Sequence, residues 1–182
     1  MANMLYLVLV IVVALYSLAS GFRRGITRQL GSLLGFAFGA VASRVITPAL
    51  SDFGWGAQMS QASEFAHFTS NLLCASLVYG IVYALFMLLN PIIRSAMSVF
   101  NVGMFNRLVG AFFTMVKNLL WISILLNLYL CLSPGSDLMR YEEANDGNLV
   151  AAVMGMTHGI LGCYDAEDFA HFYQLREAKR IS

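Results

Sequence analysis

Four long apolar runs constrain this chain more than any other feature. Met4 to Ser20 carries no charge, Ile26 to Thr47 carries only Arg28 and Arg44, Ala66 to Leu89 carries none, and Leu108 to Leu132 carries only Lys117. A helix that crosses a bilayer needs about 20 mostly apolar residues. The runs are continuous and do not alternate, which argues against the strands of a membrane barrel. Composition agrees: 59% of residues are hydrophobic and 12% charged, with a mean hydropathy of +0.71. Soluble domains carry about 25% charge, so too little polar surface is left to cover a soluble globule. The expectation is an all-α integral membrane protein, with four transmembrane helices as two antiparallel hairpins plus a short C-terminal helical tail. Residues 1–132 form the membrane domain, with spans at about 4–20, 26–47, 66–89 and 108–132, and residues 133–182 form the tail.

The first run does not read as a cleaved signal peptide, because such peptides place positive charge ahead of the apolar stretch. Here Arg23 and Arg24 follow it. The loops set an orientation. Arg23, Arg24 and Arg28 lie between the first two runs, and Arg94 and Arg107 lie between the third and fourth. The loop from Pro48 to Phe65 holds Asp52 and Glu64 and no basic residue. Lysine and arginine favour the cytoplasmic side, so both basic loops are expected inside, with the N-terminus periplasmic and the tail outside. The arginine cluster also invites contact with anionic head groups or a cytoplasmic partner.

The second run spaces small residues four apart, at Gly31, Gly35, Gly39 and Ser43. Residues four apart share a helix face, and in lipid a bare face lets two backbones approach closely. Span one is the expected partner, because Gly21 to Gly25 leaves room only for a tight reversal. Self-association and a pore-lining face are the other readings. A weak likeness between Gly25–Gly35 and Gly103–Phe113 is compatible with a parallel internal repeat.

Residues that could carry chemistry are few. No Asp or Glu falls within the runs, whereas proton-coupled transporters use intramembrane acids or histidines in chains. His67 lies at the mouth of the third run, and His158 and His171 show no ligand spacing. Cys74, Cys131 and Cys163 suit neither a metal site nor a disulfide framework. No nucleophile, metal or phosphate-loop motif is present. No catalytic, cofactor-binding or metal residue is therefore assigned, no enzyme is expected, and the net charge of +1 gives no reason to expect a nucleic-acid partner. Lys117 lies roughly 13 Å into the fourth run at about 1.5 Å per residue. Either it snorkels towards the cytoplasmic face, or with Asn118, and with Asn127 further along, it faces a polar cavity.

The tail holds most of the acids. Its apolar stretch at residues 148–164 is short and carries Gly155 and Gly159, so an interfacial or bundle-capping helix is expected, with a fifth span as the alternative. Residues 165–180 read as a short amphipathic helix ending in basic residues, favourable to the helix dipole. Cys131 and Cys163 would both lie near the outer face, within reach of a disulfide.

Several of these segments together resemble the colicin V production protein (CvpA) family: Gly21, Phe22, Arg23, Arg24 and Gly25, the glycine-spaced second span, and Asn106, Arg107, Leu108 and Gly110 opening the fourth. The resemblance covers about residues 1–132. Two positions depart from it. Asn3 stands near a position where the family often has an acid, and Asn106 stands where it commonly has Asp. The resemblance implies a bacterial inner-membrane protein acting as an accessory factor in production or export of a colicin V-type peptide toxin and in envelope homeostasis. Its partners would be the lipid bilayer, other membrane or export proteins, and further copies of itself. The alternative is a small oligomeric channel or transporter, with Lys117 and the glycine stripe near its path.

Overall fold

The computed structural model describes residues 2–51, 64–96, 103–132 and 149–162. Its elements are α1 (Ala2–Arg24), a 3-10 turn (Thr27–Gln29), α2 (Leu30–Ser51), α3 (Glu64–Ala96), α4 (Gly103–Leu132) and α5 (Leu149–Leu161). No strand occurs among the described residues. Leu5–Arg24, Thr27–Leu50, Ala66–Ile92 and Gly103–Leu132 are long and apolar enough to cross a membrane. Their apolar side chains point outward as well as inward: Val45, Leu88, Ile92, Phe105 and Phe112 are each at least 60% exposed, and on α1 Val8 and Val12 are more than half exposed. Only lipid makes such a surface stable, because a soluble monomer does not expose apolar area on this scale.

The four long helices pair antiparallel, but the partners differ from expectation. The α2 glycine face meets α3, not α1. Gly31 abuts Asn90, Gly35 abuts Tyr83 and Phe86, and Gly39 abuts Tyr79, while the Ser43 hydroxyl donates to the Ala75 carbonyl at 3.3 Å. Span one packs instead on span four. The short turn reverses the chain without pressing α1 onto α2. Gly25 closes α1 in the left-handed region at φ 68°, its N–H donating to the Gly21 carbonyl at 2.9 Å, as a glycine following a helix end commonly does.

The α5 helix is the second difference. Rather than lying across the end of the bundle, it runs antiparallel to α4 and is packed among the spans. Val150, Val153 and Met154 join Val10, Phe68 and Leu130 in one core cluster. Deeper in, Leu161 joins Ala75, Tyr79, Leu120 and Ile124 in another. Thirteen residues at about 1.5 Å each make a helix of roughly 20 Å, too short to span and of the length typical of buried or re-entrant segments. Asp52, Cys163 with its expected disulfide to Cys131, His171 and the amphipathic segment at 165–180 lie outside the described residues, whereas Glu64 opens α3.

Candidate functional site: a polar hub on the fourth span

The family-like residues of the two basic turns come together where α1 crosses α4. Ser17, Gly21 and Gly25 on one side, and Asn106, Gly110, Thr114 and Asn118 on the other, recur every four residues and so form facing rows. A Cβ on Gly21 would lie 2.5 Å from the Gly110 carbonyl oxygen, and one on Gly110 would lie 2.6 Å from the Gly25 carbonyl carbon. The backbones therefore touch, and only glycine permits it. Asn106 fastens the turn: its carbonyl accepts from Ile26 N–H at 2.9 Å. Its side-chain oxygen accepts from Thr27 N–H at 3.0 Å, and its Nδ2 donates to Thr27 Oγ1 at 3.1 Å.

Further along α4, polar side chains reach three other helices and the 3-10 turn. Lys117 Nζ donates to Ser32 Oγ of α2 at 3.1 Å, and that hydroxyl pairs with Tyr83 Oη of α3 at 2.9 Å. The ammonium also stands 5.9 Å from the centre of the Phe113 ring, within cation–π range. Asn118 turns the other way and donates to Ser17 Oγ of α1 at 2.8 Å. Lys117 and Asn118 thus reach different helices, α2 and α1. Thr114 Oγ1 lies 2.8 Å from Gln29 Oε1. Asn127 Nδ2 donates to the Met154 carbonyl of α5 at 3.0 Å, beside Ser123, whose Oγ stands 2.6 Å from Thr157 Oγ1 and accepts from Thr157 N–H at 3.1 Å.

The deep end of α5 is capped from α2. The last four carbonyls of a helix have no partner within it; here three receive a donor and the fourth lies beside the Ser43 hydroxyl, whose single proton it shares with the Ala75 carbonyl. Gly162 N–H donates to His158 O at 2.9 Å. Arg44 donates through Nη2 to Gly159 O and through Nε to Ile160 O, the latter at 3.0 Å. Ser43 Oγ lies 3.3 Å from Leu161 O. Gly162 sits in the left-handed region at φ 67°, and a Cβ there would meet Arg44 Cγ at 2.8 Å. Among carbonyls away from water, each missing donor costs several kcal/mol, so the lone charge near the end of span two has a structural reason.

At the basic end, Arg23, Arg24, Arg28 and Arg107 line a cavity of about 630 Å³ together with Thr27 and Asn106. His67 is exposed near Asn71, and His158 is packed beside the Phe68 ring. No group of three or more His, Cys, Asp or Glu stands close enough to hold a metal ion among the described residues.

Sequence reasoning missed Arg44, Ser123 and Thr157 as anchors, Asn90 as the partner of Gly31 and Gln29 as the partner of Thr114. One signal was present for Arg44, a charge inside an apolar run with no acid nearby in sequence.

Four apolar helices, a small-residue seam in each pair and outward-facing aliphatic side chains define a multi-pass membrane protein. The model of the colicin V production protein family matches residues 8–143. The chain belongs to that family. No curated protein and no solved structure matches it.

Proposed function

We propose that the protein is an accessory component of the bacterial inner membrane that supports production or export of a colicin V-type peptide toxin and, with it, envelope homeostasis. Membership of the family carries this reading. The chemistry of the bundle supports a non-enzymatic role: the polar groups of α4, Lys117, Asn118, Ser123 and Asn127, are spent on joining helices. In the proposed orientation the arginine end faces the cytoplasm, and the opposite end, where α5 enters, faces the periplasm. Partners would be other membrane or export proteins, or further copies of the chain.

The test is a toxin-producing strain without its own family member. Expression of this chain is expected to restore extracellular toxin and resistance to envelope-damaging detergent. Unchanged toxin output and unchanged detergent resistance would overturn the reading.

The rival, a small channel or transporter, is favoured by one observation, the Lys117–Ser32–Tyr83 polar chain between three helices. Liposomes holding the protein and its Lys117→Leu variant separate the two. Solute flux that is present with Lys117 and lost without it would support transport and count against an accessory role.

A further inference from the structure

Two cavities meet at the arginine end of α1. The basic one, of about 630 Å³, has four guanidinium groups on its wall and no carboxylate among its lining residues. The second, of about 650 Å³, lies between α1 and α4 and is walled by Leu18, Ala19, Leu108, Ala111 and Phe112. A charged chamber thus adjoins an apolar crevice between α1 and α4, with Phe22 and Arg23 common to both.

We propose that this pair of cavities is a binding site for an anionic phospholipid, with the phosphate head among the arginines and an acyl chain in the crevice. Arginine favours this ligand because its planar fork matches phosphate oxygens. Four such groups at one interface concentrate negative charge, and basic pockets beside spanning helices are suited to anionic head groups. The volume of the chamber falls within the range of small-molecule sites. The crevice decides between two sources of phosphate. A free phosphate would use the arginines alone, whereas a lipid needs an apolar channel that begins where the charge ends. Arg23, which lines both the chamber and the crevice, stands at that junction.

The experiment uses the full chain in neutral detergent, with bound lipid read by native mass spectrometry. Phosphatidylglycerol is offered against phosphatidylcholine, and inorganic phosphate and glycerol phosphate serve as soluble competitors. Phosphatidylglycerol is expected to bind at least about tenfold more tightly than phosphatidylcholine. Arg24→Gln and Arg107→Gln should each weaken that preference, and the two combined with Arg23→Gln and Arg28→Gln should remove it. All four side chains are exposed, so the helical content of these variants should match the parent by circular dichroism. Ala19→Trp, which fills the crevice and leaves the arginines in place, should weaken lipid binding several-fold without affecting glycerol phosphate. If inorganic phosphate displaces the lipid at equal concentration and Ala19→Trp has no effect, the site takes free phosphate and the lipid proposal fails. Equal binding of the two lipids, or a preference that survives both single arginine substitutions and their combination, would overturn it as well.

Discussion

Replacing Arg44 by Met should release α5 from the bundle. The substitution keeps the apolar stem and removes the two donors that serve Gly159 O and Ile160 O. An acceptor left without its donor costs about 1–3 kcal/mol when buried; both of these lie at an exposed edge, so about 1–1.5 kcal/mol each applies, and a cation at a helix C-terminus adds about 0.3–1 kcal/mol. Arg44 is exposed on one side, which reduces the Coulombic part. The sum is roughly 2–4 kcal/mol, enough to raise the undocked population of α5 by about 30- to 1,000-fold, since each 1.4 kcal/mol is about a factor of ten. The assay is modification of a cysteine placed at Met154, which is 1% exposed, in a chain with Cys74, Cys131 and Cys163 replaced by serine. A membrane-permeant maleimide should react slowly with this protein and at least about 30-fold faster once Arg44→Met is added. Arg44→Lys should fall between the two, because an ammonium lacks the rigid fork that spans adjacent carbonyls. An unchanged rate in Arg44→Met would refute the capping argument.

Three other substitutions test the remaining contacts. Gly110→Ala should destabilise the bundle by about 1–3 kcal/mol or more, because its methyl group would press on backbone at Gly25 and Ile26 rather than on a movable side chain; a thermal unfolding midpoint in detergent equal to the parent's would contradict this. Asn106→Asp should cost less than about 1 kcal/mol, since a carboxylate still accepts from Thr27 N–H and the Thr27 hydroxyl can turn to donate, whereas Asn106→Ala should cost about 1–3 kcal/mol by the same measurement. Tyr79→Phe should be neutral or stabilising, because the Tyr79 hydroxyl is buried with no hydrogen-bond partner among the described residues; a clear loss of stability would show that this hydroxyl is engaged.

The number and place of the spans were legible because charge is so scarce in the four runs that lipid is the only environment they fit. The α2 stripe was legible as a packing face, since Gly31, Gly35 and Gly39 fall on one side of a helix whatever they meet. Its partner was not. A tight turn such as Gly21–Gly25 fixes the reversal of the chain, but the match of Tyr79, Tyr83, Phe86 and Asn90 to three glycines decides the contact, and those residues lie some forty positions or more away in sequence. The polar residues of α4 stood out in an apolar run, yet nothing local told Lys117 to face α2 and Asn118 to face α1. The depth of α5 was the least legible feature. A short apolar helix with two glycines reads equally as interfacial or buried, and what holds it, Arg44 on Gly159 and Ile160, joins residues more than a hundred positions apart.

The hub on α4, with α5 drawn in beside it, is tested most directly by a cross-link. Ser123→Cys and Thr157→Cys are introduced together in a chain otherwise free of cysteine, with a protease site placed between residues 133 and 148. The two native hydroxyl oxygens stand 2.6 Å apart, so mild oxidation should join the sulfurs and keep the fragments together after cleavage until reductant is added. A control pairing Ser123→Cys with Gly155→Cys, a position that faces open space, should separate. Fragments that part in both chains, or that cross-link equally in both, would contradict a fixed α5 docked along the fourth span.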